Sequence, residues 1–355
     1  PQVMQYPASV AVTWQKTFHQ LGPTAGALLR LTAFLAPDPI PVVMFEAGEE
    51  IVREAAKLLA RETRRKSDTK LIKAALADLA TYSMIARQEG GTFAVHRMVQ
   101  EVLRQQIPEK RRRDWIELSL RIVNRFSPSE PYDVRTWPVW NVIRPHAAQV
   151  VKHADEAGIT DPTSRLVGDL GILLYFKSLH AEAEPLMRRS LAIVEDSFGA
   201  EHPRIAVYVN NLAQLLQATN RRAEAEPLMR RALAIDEAAF GTEHPNVAIR
   251  LNNLAALLQA TNRLAEAEPL MRRALAIDEA SFGAEHPKVA IRLNNLAQLL
   301  QATNRRAEAE PLMRRAVEIF KKSLGPDHPY SQGARRNLAA LLQPPQGAPG
   351  GGGSA

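Results

Sequence analysis

The sequence predicts a mostly α-helical protein, in which a small helical domain closed by a two-stranded wing precedes a long solenoid of stacked helix pairs. Three observations predict it. A 42-residue unit recurs without insertion or deletion, carrying His202-Pro203, His244-Pro245, His286-Pro287 and His328-Pro329 in register with Asn211, Asn253, Asn295 and Asn337. The units beginning at Glu201 and Glu243 agree at 33 of 42 positions, far beyond what composition produces, so the second half is a repeat array. Ahead of it, apolar residues fall at helical spacing, interrupted by two short segments that meet at Gly90-Gly91.

In chain order, Val10, Trp14 and Phe18 place an amphipathic helix over Tyr6 to Phe18. A second runs from Ala25 to Leu35 and is ended by the Pro-Asp-Pro-Ile-Pro run that starts at Pro37. Short helices follow, then a third amphipathic stretch from Leu71 to Leu79, with Asp68 as its expected cap. Ser83 to Gln88 and Thr92 to Val95 read as a hairpin, and His96 to Gln106 as the helix that closes the domain. Helices, wing and closing helix make a winged-helix plan. Residues 109 to 157 read as helical, with Trp115, Leu118, Ile122 and Phe126 on one stripe and Trp137, Trp140 and Ile143 on another; they are expected to couple the front domain to the array. The expected partition is therefore 1–107, 108–163, 164–342 and a flexible Gly/Pro-rich tail at 343–355.

Within one unit, Val247, Leu251, Leu254, Ala255 and Leu258 give helix A over Pro245 to Ala260, with proline in the first turn and Asn262 at a left-handed C-terminal position. Ala267, Leu270, Met271, Ala274, Leu275 and Ile277 give helix B over Ala265 to Phe282, terminated by Gly283. Neither helix buries its apolar side alone, so the pairs must stack. The repeated histidines cannot share a metal ion. Stacked helices lie about 8–10 Å apart, and metal–nitrogen bonds are about 2 Å; a turn or capping role is expected instead. The repeated Glu224/Glu226 and Glu266/Glu268 pairs sit in a first turn, where they complement the helix dipole rather than form an acid–base pair.

The segments AEAEPLMRRALAIDEASFG and HPxxAxxLNNLAxLL resemble the tetratricopeptide repeat in its long, kinesin-light-chain-like form, over about residues 164 to 342. The resemblance implies a tetratricopeptide α-solenoid whose concave groove binds a protein or peptide. It also implies that Asn residues on helix A bond the backbone of an extended segment. Candidate groove residues are then Asn210, Asn211, Asn252, Asn253, Asn294 and Asn295, with Gln214, Gln217, Gln259, Gln298 and Gln301. The alternative is that one Asn of each pair bonds the adjacent repeat and is structural. Arg250 and Arg292, at the position of Tyr208, are expected to favour acidic residues in the partner.

The order YPASVAVTWQKTF, LLRLTAFLAPDPIP and FAVHRMVQEVLR resembles the winged-helix segment that follows the nucleotide domain in NB-ARC-type STAND NTPases, over about residues 6 to 107. The resemblance implies that His96 touches the diphosphate of ADP in an intact parent, with ADP or ATP as the parent's cofactor and an oligomer as its activated state. Arg97 departs from the Asp of plant relatives. Nothing here matches the phosphate loop GxxxxGK[ST], so this chain is expected to bind no cofactor itself and to hydrolyse no nucleotide.

Net charge is +7, with most of the excess in the front 160 residues, where Arg64-Arg65-Lys66 and Lys110 to Arg113 form two basic runs read as solvated faces. The absence of cysteine excludes disulfides and thiolate zinc sites and fits the cytoplasm. No apolar run suits a membrane span, and the Pro1 start reads as that of a fragment. No nucleophile, base and orienting group stand at a catalytic spacing, so no enzyme is expected. The functional expectation is a protein-binding sensor and regulatory region of a signalling STAND ATPase. Its rivals are an adaptor without a switch and a winged-helix DNA-binding regulator, the latter weakened by the few base-reading side chains around Leu71 to Leu79.

Overall fold

The computed structural model describes residues 17–68 and 70–343, and the chain divides into two units, 1–197 and 198–355. The helix expected over Tyr6 to Phe18 lies almost wholly outside the described residues.

In the first unit, α1 (Pro23–Thr32) buries Ala25, Ala27, Leu28, Leu29 and Leu31, so it is apolar nearly all round and becomes a core helix. Around it lie α2 (Val42–Ala47), α3 (Glu49–Thr63) and α4 (Ile72–Thr81). The strands β1 (Ile40–Pro41), β2 (Ala86–Gln88) and β3 (Thr92–Ala94) form an antiparallel sheet in the order β1-β3-β2. The β2–β3 turn uses Gly90 and Gly91 at φ 72° and 69°, a region that side chains resist. Strand β1 has no periodic signal: it is two residues long, and pairing of Ile40 with Phe93 makes it a strand. Asp68 does not cap α4, whose N-cap is Leu71 with no side-chain bond. Its carboxylate instead reaches back to α1, accepting from the Thr24 backbone N–H at 3.3 Å and from the Thr24 hydroxyl.

The unit continues through α5 (Arg97–Gln106), α6 (Glu109–Phe126), α7 (Trp137–Glu156) and a first helix pair, α8 (Thr163–Phe176) and α9 (His180–Phe198). The expected boundaries at 107 and 163 have no counterpart in the packing. One apolar cluster runs from Leu21 to Leu173, with Trp115 and Trp140 fully buried. Ser119 Oγ donates to the Leu31 carbonyl at 2.9 Å, Gln100 Nε2 donates to the Thr32 carbonyl at 2.8 Å, and Arg121 grips Glu54 through two bonds of 2.9 and 3.0 Å. The apolar stripes of α6 and α7 are the reason, because burying them requires that they complete the front core rather than bridge it.

The second unit alternates A helices α10 (Pro203–Ala218), α12 (Pro245–Ala260), α14 (Pro287–Ala302) and α16 (Pro329–Leu342) with B helices α11 (Arg222–Phe240), α13 (Leu264–Phe282) and α15 (Arg306–Leu324). Each boundary has its chemical cause. His202, His244, His286 and His328 are N-caps, each ring Nδ1 accepting the backbone N–H two residues on at 3.1–3.2 Å. Asn220, Asn262 and Asn304 end three A helices at φ 60–63°, and Gly241, Gly283 and Gly325 end the B helices at φ 83–88°. Fully buried alanines, Ala206 and Ala213 on α10 with Ala225 and Ala232 on α11, let the helices of a pair approach closely.

Candidate protein-binding face

The side chains at fixed places on the A helices do three things, and Asn253 and Asn295 take part in two of them. The first is to knit repeats together. Asn253 Nδ2 donates to Asn210 Oδ1, Asn295 Nδ2 to Asn252 Oδ1 and Asn337 Nδ2 to Asn294 Oδ1, each at 2.9 Å. The second Asn of a pair thus bonds the first Asn of the preceding copy, and Asn210 and Asn252 are buried. This ladder offsets the poor helix propensity of Asn. In α16 the first Asn gives way to Arg336 and only Asn337 is kept.

The second is a buried ion pair between consecutive copies. Arg250 Nε donates to Asp236 Oδ2 at 2.8 Å with side chains 6% and 1% exposed, and Arg292 repeats the arrangement with Asp278. Arg250 and Arg292 are therefore not groove cations free to choose a partner's acids. Their register explains them. The position that holds Tyr208, Arg250, Arg292 and Ala334 changes in step with the one that holds Val194, Asp236, Asp278 and Phe320. The charged residues occur together, as do the uncharged ones, and Phe320 and Ala334 share an apolar cluster. Arg204 and Lys288 are likewise engaged, over the rings of Phe198 at 5.1 Å and Phe282 at 4.2 Å.

The third is an accessible stripe. On α10, Arg204, Val207, Asn211, Gln214 and Ala218 recur at helical spacing and are exposed or half-buried, as are their counterparts on α12 and α14. Val207 is 47% exposed, and Ile249 and Ile291 hold its place as half-buried residues. These three aliphatics were missed by sequence reasoning, although their offset from the core stripe is the signal that finds them. The half-buried amides of Asn211, Asn253 and Asn295 lie on the same stripe, while Gln217, Gln259 and Gln301 are half-buried on its flank.

The B helices carry a charge network. Arg263 bonds Glu266 of its own copy at 2.6 Å and Glu226 of the preceding one at 2.7 Å, and Arg305 does the same with Glu308 and Glu268. Hydrogen bonds from Arg230 and then Arg263 hold Glu226 below the usual carboxylate range; Arg305 and Arg272 do so for Glu268. The repeated acids are thus inter-repeat ties. In the first unit, His96 is exposed and N-caps α5, its Nδ1 accepting from Met98 N–H at 3.2 Å. Among the described residues no cluster of His, Asp or Glu could hold a metal, and no helix is long and apolar enough to cross a membrane.

Residues 163–238, 209–280 and 246–322 each match the tetratricopeptide repeat family. The array consists of tetratricopeptide repeats. Residues 16–112 match a family described as a domain of unknown function, DUF7779. No curated protein matches the chain in sequence. Among solved structures, the chain is similar to the nearly identical TPR-like repeats of a Podosopora anserina protein named as a kinesin light chain, at 28% identity over 50% of this chain and 85% of that one, with a TM-score of 0.44. BtubC (BKLC) from P. vanneervenii is similar at 18% identity over 81% and 92%, with a TM-score of 0.46. A Signal Transduction ATPase with Numerous Domains with a tetratricopeptide repeat sensor, from Pyrococcus horikoshii, is similar at 11% identity over 95% of this chain and 62% of that one, with a TM-score of 0.41.

Proposed function

We propose that the tetratricopeptide array is a protein-binding scaffold whose A-helix face takes an extended segment of a partner. One observation carries this reading: an aliphatic side chain and an Asn amide stand exposed or half-buried side by side at the same place in three consecutive copies. An extended chain laid across successive repeats meets the same pair of chemistries again and again, the amides for its backbone and the aliphatics for its side chains. The test is to recover a partner with the wild-type chain, tile its sequence as peptides, and measure binding to Val207→Glu, Ile249→Glu, Ile291→Glu combined. Loss of binding with helicity retained supports the face. Unchanged affinity moves the site elsewhere.

The wider role we infer is that of sensor and regulator in a cytoplasmic signalling STAND ATPase, with the front unit as its winged-helix segment. Supporting this are the order α1-β1-α2-α3-α4-β2-β3 followed by a closing helix, and the repeats behind it. In such a parent, ADP or ATP would meet this chain at His96. Its Nδ1 is taken by the cap, which leaves Nε2 for a phosphate at the positive end of α5. That fits one phosphate contact; the rest of a nucleotide site would come from the parent's nucleotide domain. In the intact parent, His96→Asn keeps a side chain able to cap α5 but removes the ring, so it should speed ADP release and raise basal signalling. An unaltered ADP off-rate removes His96 from the switch.

A further inference from the structure

The first unit carries an aromatic surface in which Tyr132 and Phe176 are exposed and Tyr175 and Trp137 half-buried, Trp137 packing with part of its ring against the core. Tyr132, in the loop between α6 and α7, is 53% exposed and lies 6.2 Å from Phe176, itself 48% exposed at the end of α8. Phe176 meets Tyr175 edge-on at 5.1 Å, and Trp137, fixed by an Nε1–H bond to the Pro131 carbonyl, carries Lys177 Nζ 5.2 Å from its ring centre.

The array supplies an internal control for this turn. Ser178 has φ 60° and Leu179 N–H donates to the Leu174 carbonyl at 2.9 Å; one unit later, Asn220 has φ 63° and Arg221 N–H donates to the Leu216 carbonyl at 2.8 Å. The backbone is the same. Yet where this turn has Tyr175-Phe176, the next three have Gln217-Ala218, Gln259-Ala260 and Gln301-Ala302. The turn forms without aromatics, so the half-buried Tyr175 and the exposed Phe176 call for another cause, and exposed apolar patches on a protein surface mark interaction sites.

Charge identifies the occupant. Burial, followed by the nearby Arg144, pulls the Lys177 ammonium below its usual range, and its hydrogen-bond partner is the neutral Asn141 side chain. Among the described residues neither Lys177 nor Arg144 is in an ion pair; of the acids on the neighbouring loop, Asp133 is taken by Arg135 at 2.6 Å and Glu130 lies against the Tyr132 hydroxyl. We propose that the surface of Tyr132, Trp137, Tyr175 and Phe176, edged by Lys177 and Arg144, docks an acidic segment of a partner protein that also carries an apolar side chain. The carboxylates would neutralise two like charges now held together, while the apolar side chain covers the rings. An anionic membrane is the poorer fit, because recognition of its surface takes clusters of about 4–8 cations.

The test uses the full chain panned against a displayed library of random peptides. Selected sequences should combine Asp or Glu with a Phe, Trp, Leu or Pro. They should lose at least about tenfold in affinity for the double variant Tyr175→Gln, Phe176→Ala, which copies the turn of the next three repeats and so keeps the fold. Arg144→Glu with Lys177→Glu should lose as much, and the wild-type affinity should fall with added salt. The proposal is overturned if no such sequences emerge, if they bind both variants as tightly as wild type, or if phosphatidylserine vesicles bind the surface and the peptides do not.

Discussion

Replacing Arg250 by Leu isolates the buried ion pair. Asp236 is 1% exposed and its Oδ2 is held by Arg250 Nε at 2.8 Å. Removing the guanidinium strands a carboxylate in the interface between two copies, and breaking such a pair costs about 3–5 kcal/mol. The chain itself specifies the compensating change. Asp236→Phe with Arg250→Ala installs the pair that Phe320 and Ala334 form at the corresponding positions of a later interface, where both are buried. Exchange of a buried ion pair for well-packed apolar residues is often neutral or stabilising by about 1–4 kcal/mol, so the double variant should finish at or above wild-type stability. Urea unfolding followed by circular dichroism, fitted with a nearest-neighbour repeat model, measures this; urea avoids the screening that guanidinium would add. In the cycle closed by the single variants Asp236→Phe and Arg250→Ala, a coupling energy of about 2 kcal/mol or more between the two sites is expected. The reasoning is refuted if Arg250→Leu costs less than about 1 kcal/mol, or if the double variant is less stable than Arg250→Leu.

Asn252→Ala, which removes the acceptor of Asn295, should cost about 1–2 kcal/mol, read from the same urea curves. Asp169 occupies the second-Asn position of the first helix pair and is pushed up to about 6 by burial, which Arg165 Nε at 3.3 Å does not overcome. Because its folded pKa lies above the unfolded value, its contribution to stability is full below about pH 4 and lost as pH rises through 6. Asp169→Asn should therefore stabilise the chain at pH 7 by about 1–3 kcal/mol and flatten its stability between pH 4 and 6, as thermal melts across that range would show. Deleting residues 243–284 joins Thr242 to Glu285 and brings Arg292 to Asp236 and Asn295 to Asn210. A folded, shorter array is expected by circular dichroism, whereas deletion of half a unit should abolish its cooperative melt.

The helix boundaries of the array were legible because they are written in residues with one physical use each. Proline starts the A helices, His caps them, and Asn and Gly supply the left-handed turns. The buried arginines were not legible in the same way. Arg250 and Arg292 look like surface charges until their change in step with Asp236 and Asp278 is noticed, and only stacking brings residues 14 apart in sequence into contact across an interface. In the front unit, local pattern found α1, α4 and the hairpin. It missed that Asp68 caps α1 across 44 residues and that Ile40 becomes a strand by pairing with Phe93. Both depend on long-range partners that no window of sequence contains.

The binding face itself is tested most directly by site-specific photo-crosslinking in cells that express the chain. A photoreactive amino acid is placed in turn at Val207, Ile249 and Ile291 on the A helices, and at Arg230, Arg272 and Arg314 on the exposed side of the B helices. Adducts with one and the same partner from all three A-helix sites, and none from the B-helix sites, are expected. Adducts formed only from the B-helix sites would contradict the account.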